Sequence, residues 1–370
     1  MKEVSQNQGT LLIMSLIFLT SLWDFYHPLL EIRIFDFAVF ALLLFIAISS
    51  FIQNKTYLNF AFTDTPNLLL ICIIILLYGL FSIFVSADNM KSVFGIILCL
   101  VTFVFFYNVA IDDRTIVKCM NILLITNISF LLFQYLTFIL TRQVFNPFDF
   151  LGIDVRLTGG NIFRPAGLFR EPASFALMIF TFIIIRLQIR PKFDFLNSMG
   201  CLAILLSISL WGTITVLLLI MFWHWRSIIL HTILGLIGIF SIIYWRFILD
   251  LGEDFFLINR LLNLQDDGSA NERYGGKPDI IYDPIFWFGQ GPNNENYQYF
   301  GGNGLGYIIA TWGLIFSIVI FLLLIQRAPP NKNKSIAIFG LGLALTASTI
   351  WTMAYWWLWI ALLFRPTTTK

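Results

Sequence analysis

Thr115-Ile-Val-Lys-Cys-Met-Asn-Ile-Leu-Leu-Ile-Thr-Asn-Ile-Ser-Phe-Leu-Leu-Phe-Gln-Tyr-Leu-Thr-Phe-Ile-Leu140 is the stretch that decides the fold. It runs 26 residues with one charged side chain, Lys118. A membrane crossing takes about 20 predominantly apolar residues, so this run is a candidate span. The rest of the chain repeats the pattern. Of its 370 residues, 58% are apolar and 12% charged, and Phe alone accounts for 40. A soluble domain carries roughly 45–50% apolar residues even with glycine counted, and about 25% charged ones. That much apolar surface exceeds what a water-soluble globule can hide, which excludes a peripheral or secreted protein.

Apolar runs between polar breaks predict spans near Thr10–Leu22, Ile34–Ile52, Asn67–Ser86, Ser92–Ala110 and Thr115–Leu140. Seven more are predicted near Pro172–Leu187, Phe195–Ser209, Thr213–Trp225, Ser227–Trp245, Gly304–Ile325, Ser335–Ile350 and Thr352–Phe364. Phe195–Trp225 is long for one helix and short for two, and Trp211-Gly212 is the expected turn; Ser335–Phe364 poses the same problem around Trp351. The expected fold is therefore all-α: one polytopic membrane domain over residues 1–370 with about twelve transmembrane helices. Met1–Gly9 is polar and the run after it lacks a small-residue cleavage site, so the first span is expected to stay as an anchor.

Basic residues give the orientation. With the N-terminus cytoplasmic, one side receives Lys2, Lys55, Arg114, Lys118, Arg186, Arg190, Lys192, Arg226, Arg327, Lys332, Lys334, Arg365 and Lys370, while the short loops opposite hold only Arg33 and Lys91. This is the positive-inside pattern, and it predicts both termini in the cytoplasm. Two long connections, about 141–171 and 246–302, fall on the outer side and carry nearly half of the chain's charged side chains. Loops this long are functional or disordered, and their aromatic content argues for the former. Cys72, Cys99, Cys119 and Cys201 lie in or beside apolar runs at no metal-motif spacing and read as small packing residues.

The first long loop closes on Asn161-Ile-Phe-Arg164-Pro-Ala-Gly167-Leu-Phe-Arg170-Glu171-Pro172-Ala-Ser-Phe-Ala176. Pro172 suits the first turn of a helix, where its missing N–H costs nothing. Two readings are open at Glu171. It can cap the helix, favoured by the macrodipole, or it can accept a proton from a sugar hydroxyl at the base of an outer cavity. Arg164 and Arg170 beside it could hold a diphosphate through the planar donor fork of guanidinium.

The second loop holds Arg260, Asn271-Glu-Arg273-Tyr274, Phe288-Gly289-Gln290-Gly291-Pro292-Asn293-Asn294 and Gly301-Gly302-Asn303-Gly304. Its arginines either grip a lipid-linked phosphate or pair with Asp266, Asp267 and Asp279 in solvent. Asp266-Asp267 is an isolated acidic pair with no metal spacing. Gly289-Gln290-Gly291 lacks the strand and GKT-type ending of a phosphate loop. His27, His224 and His231 do not cluster, so no Ser-His-Asp or Cys-His set can be assembled on the outer face.

Arg164-Pro-Ala-Gly-Leu-Phe-Arg-Glu171-Pro172-Ala-Ser-Phe-Ala176 resembles the R-x-x-G-x-F-x-E-P-x-x-x-A signature of Wzy-type O-antigen polymerases. Arg273, Gly289-Gln290-Gly291, Asn303 and the following Trp312-Gly313-Leu314 resemble the late loop and helix shared by O-antigen polymerases and ligases. The predicted layout of twelve helices and two long periplasmic loops is similar to that superfamily, whose fold is GT-C-like. Ligases place a His directly before the Asn opening this late helix; here that position is Gly302, which favours a polymerase.

The resemblance implies a glycosyltransferase of the bacterial inner membrane, with its active site facing the periplasm. It implies transfer of a growing glycan from undecaprenyl diphosphate to the non-reducing end of a new lipid-linked repeat unit. Glu171, Arg164 and Arg273 would be catalytic, and Arg164, Arg170, Arg260 and Arg273 would hold the diphosphate. Gly167, Tyr274, Asn293 and Asn303 would position substrate. Neither metal nor cofactor is implied, since the donor is already activated. The implied partners are undecaprenyl-diphosphate-linked oligosaccharide, the lipid bilayer and a Wzz-type chain-length regulator, with no nucleic acid. A ligase or another polyprenyl-linked glycan transferase is the alternative. A flippase is the rival from another class, but carriers keep functional charge near the midplane, whereas charge here sits in the outer loops.

Overall fold

The computed structural model describes residues 73, 77, 90–108, 113–147, 149, 158–159, 162–224, 282–289, 304–327, 334–345 and 354–364. These residues are predominantly helical. The helices are α1 (Met90–Asn108), α2 (Asp113–Thr141), α3 (Pro172–Ile189), α4 (Phe195–Leu206), α5 (Leu210–Trp223), α6 (Pro284–Phe288), α7 (Gly304–Arg327), α8 (Lys334–Leu345) and α9 (Ala354–Phe364). Between α2 and α3 lies a small antiparallel ribbon of β1 (Thr158–Gly159) and β2 (Ile162–Phe163), in register Thr158↔Phe163 and Gly159↔Ile162. The spans expected at Thr10–Leu22, Ile34–Ile52 and Ser227–Trp245, and all but two residues of Asn67–Ser86, lie outside the described residues.

The described chain falls into two compact units. One takes α1, α2 up to Leu123, Ile183–Lys192 and the helices from α6 onward; the other takes α2 from Leu124, the ribbon, α3 through Phe182, and α4 with α5.

α2 and α3 are each long and apolar enough to cross a membrane. α2 turns its polarity inside out. Ile122, Ile125, Leu132, Phe133, Leu136, Ile139 and Leu140 are exposed, while Asn127 and Gln134 on the other side have no accessible surface. A water-facing helix places its residues the opposite way round. The exposed stripe covers Ile122 to Leu140, about 27 Å at 1.5 Å per residue, close to the ~30 Å hydrocarbon thickness of a bilayer. α2 stops where Arg142 takes a left-handed φ of 58°, its N–H still bonded to the Phe138 carbonyl at 2.9 Å.

In the first unit, α9 packs along α1, with Trp357 edge-on to Phe103 at 5.9 Å. The end of α3 is tied into the same unit. Gln188 Nε2 donates to the Leu363 carbonyl, and Gly340 of α8 lies so close to Ile184 that a Cβ there would stand 2.5 Å from Ile184 Cγ2.

In the second unit, α4 and α5 form a helical hairpin whose turn is Ser207-Ile208-Ser209, upstream of the Trp211-Gly212 turn expected from sequence. The reason is local hydrogen bonding. Ser207 ends α4 with its hydroxyl on the Ile204 carbonyl at 2.7 Å, Ile208 reverses the chain at φ 53°, and Ser209 caps α5 by accepting from Gly212 N–H at 3.3 Å. Gly212 serves close packing inside α5: a Cβ there would stand 2.6 Å from Ala176 Cβ and 2.7 Å from Ile204 Cγ2. At 12 and 14 residues, α4 and α5 reach about 18 and 21 Å, each less than a full hydrocarbon crossing.

Candidate functional site

The segment Arg164–Glu171 is built onto α2. Phe163 of β2 stacks on Phe138 at 4.4 Å and meets Tyr135 edge-on at 5.7 Å. Tyr135 is itself fixed by its hydroxyl, which donates to the Leu206 carbonyl at 2.5 Å. From this aromatic anchor the chain turns inward, and Pro165, Ala166, Gly167, Leu168 and Phe169 are all buried. Phe169 N–H closes a β-turn on the Ala166 carbonyl at 2.9 Å. Gly167 stands second in that turn at φ 57°, a left-handed position that glycine occupies without steric cost. Space demands glycine as well, since a Cβ there would meet Phe175 Cε2 at 2.9 Å and the Asn127 carbonyl oxygen at 3.0 Å.

One side chain holds the turn. Gln134 Oε1 accepts from Gly167 N–H at 2.9 Å and Ala166 N–H at 3.0 Å. Its Nε2 donates to the Gly167 carbonyl at 3.1 Å and to the Phe145 carbonyl at 3.4 Å. Two acceptances and two donations use the whole capacity of a carboxamide. A polar residue amid an apolar run was the signal for this role in the sequence, and the motif reading passed over it.

The charged residues flank the buried turn. Arg164, Arg170 and Glu171 are each half-buried, and the Arg170 Nε is buried without a hydrogen-bond partner among the described residues. Glu171 occupies the N-cap of α3: its backbone carbonyl accepts from Phe175 N–H at 3.1 Å, and Pro172 follows at the first helical position. The carboxylate Oε1 accepts from Ser174 Oγ at 3.3 Å. Glu171 therefore stands at the N-cap position, with its half-buried carboxylate engaged by a hydroxyl. Arg170 and Glu171 thus stand directly before α3, whose free N–H groups favour negative charge, and Arg164 stands at the other end of the turn.

Of the second motif, Arg260, Arg273, Tyr274, Asn293 and Asn303 lie outside the described residues. Gly289 and Trp312-Gly313 are described, and they meet. α6 is capped by Asp283, which accepts from Ile285 N–H at 2.9 Å, and it packs on α7. Gly289 ends α6 at φ 77°, ψ 169°. Gly313 breaks α7 at φ 76°, ψ 159°. Both values lie in a backbone region that is essentially glycine-only. Gly289 and Trp312-Gly313, drawn from the late loop and the late helix that the resemblance singled out, thus adjoin each other.

No protein-family model matches the chain, and no curated protein matches it.

Proposed function

We propose that the protein is a Wzy-type O-antigen polymerase: a multi-pass glycosyltransferase of the bacterial inner membrane, its termini cytoplasmic and its active site periplasmic. The observation that carries this reading is the tight Ala166–Phe169 turn held on α2, with Arg164 before it and Arg170-Glu171 between it and the start of α3. The outward apolar stripe of α2 supports the bilayer setting.

In the proposed reaction the non-reducing-end hydroxyl of a new repeat unit attacks the anomeric carbon of the growing chain. A C–O bond forms there as the bond to the undecaprenyl diphosphate oxygen breaks. Glu171 accepts the hydroxyl proton, a role worth about 10²–10⁴-fold. Arg164, Arg170, Arg273 and Arg260 take up the charge of the departing diphosphate, a fixed cationic environment of the kind that stabilises developing charge without reorganisation. Gly167, Tyr274, Asn293 and Asn303 position the glycan, and a Wzz-type regulator sets chain length.

The glycan of a deletion strain tests the reading. A polymerase predicts loss of the ladder with a single capped repeat retained. Complete loss of capping would overturn it in favour of a ligase or flippase.

A further inference from the structure

We propose that Gln134 is the positioning residue of this site: by clamping Ala166 and Gly167 from within α2, it fixes the spacing of Arg164 and Arg170 and so sets affinity for a polyprenyl diphosphate. The inference rests on the polymerase reading and adds a residue that neither motif contains.

Gln134 has no accessible surface and stands in an apolar helix seven residues, about 10 Å along the axis, before its end. A carboxamide there is costly unless every polar atom is bonded. All four of its hydrogen bonds reach residues 11 to 33 positions away in sequence. None serves α2 itself. Its function is to receive the loop. The clamped pair lies one residue past Pro165 and two residues before Phe169, both buried, so the fixed backbone leaves Arg164 and Arg170 leaving the turn at opposite ends.

A diphosphate presents several oxygens to be met by donors at set positions, and donors already in place bind without the cost of ordering them. Releasing the turn leaves the same charges on a loose segment. Binding then weakens through lost preorganisation, with no charge removed.

The test uses the full-length protein in lipid nanodiscs, with undecaprenyl diphosphate as the probe, and compares wild type with Gln134→Leu and Gln134→Glu at matched folded amounts. Gln134→Leu keeps the volume and removes all four bonds; it should lower probe affinity at least tenfold, raise KM for lipid-linked repeat units more than it lowers kcat, and speed hydrogen exchange at the Ala166 and Gly167 amides. Gln134→Glu keeps both acceptances and regains one donor only when protonated. Its affinity relative to wild type should therefore recover as pH falls, a profile that a purely structural role does not produce. Should Gln134→Leu fail to fold, this ratio decides alone. Wild-type affinity in folded Gln134→Leu, or a pH-independent ratio for Gln134→Glu, overturns the positioning role and leaves the polymerase reading standing. A wild-type protein that neither binds the probe nor extends chains overturns that reading and the inference with it.

Discussion

Gly289 and Gly313 meet backbone to backbone: a Cβ on either would stand 2.6 Å from the backbone nitrogen of the other. A turn ending α6 and a break in α7 are thus held together by the absence of two side chains. Each glycine also has a positive φ, so alanine meets a clash and backbone strain at once. Strain of this kind costs about 1–3 kcal/mol per residue. Gly289→Ala and Gly313→Ala should each lower stability by at least that much, read from thermal unfolding in detergent. Because both separate the same surfaces, the double variant should cost less than the sum of the singles. Strict additivity would show the two positions to be independent.

Arginine geometry gives the second prediction. If Arg164 and Arg273 hold a diphosphate through paired donors, lysine offers a point charge without the fork. Arg164→Lys and Arg273→Lys should assemble at wild-type levels yet yield short chains or none, at least tenfold down in polymer formed from purified lipid-linked units. Full activity in both would make them ordinary loop residues.

Orientation is open to direct test. Reporters fused at Asp154 and Asp267 should read periplasmic, and one at Lys332 cytoplasmic, because basic residues gather on one side of the apolar runs. A cytoplasmic signal from either loop would remove the outer face on which the proposed chemistry depends.

What could be read in the sequence follows the range of the interactions involved. The helices at Ser92–Ala110, Thr115–Leu140, Pro172–Leu187 and Gly304–Ile325 emerge within a few residues of their expected bounds, since an apolar run bounded by polar residues is a local signal. Pro172 likewise marked the start of α3. The α4–α5 turn was misplaced because glycine is a breaker only on average: Gly212 is spent on approach to Ala176, a partner 36 positions away, while the turn is made by two serines that look like ordinary small residues. The partners of Gln134 were hidden for the same reason, although its polarity within an apolar run stood out. Its four partners are distant in sequence, and a single Gln in a membrane run carries no spacing rule that names the loop it will hold.

Glu171 is where capping and the proposed base role overlap, and the structure supplies the control that separates them. Its backbone carbonyl starts α3 whatever the side chain, and the carboxylate accepts a hydrogen bond from Ser174 Oγ within the helix. A capping role alone predicts that Ser174→Ala and Glu171→Gln behave alike, that Glu171→Asp is tolerated, and that Glu171→Ala costs about 0.5–2 kcal/mol of stability. A general base predicts a split. Ser174→Ala should keep chain growth within a few-fold of wild type, since the carboxylate remains. Glu171→Gln should fold normally and polymerise at least 10²-fold more slowly, the lower end expected for losing a base. Glu171→Asp should fall between them, because its oxygens are withdrawn by one methylene. The measurement is chain elongation by purified protein on lipid-linked repeat units, matched for folded amount. Near-normal elongation by Glu171→Gln would sink the base assignment and leave the arginines, held in place by their turn, as the main source of rate.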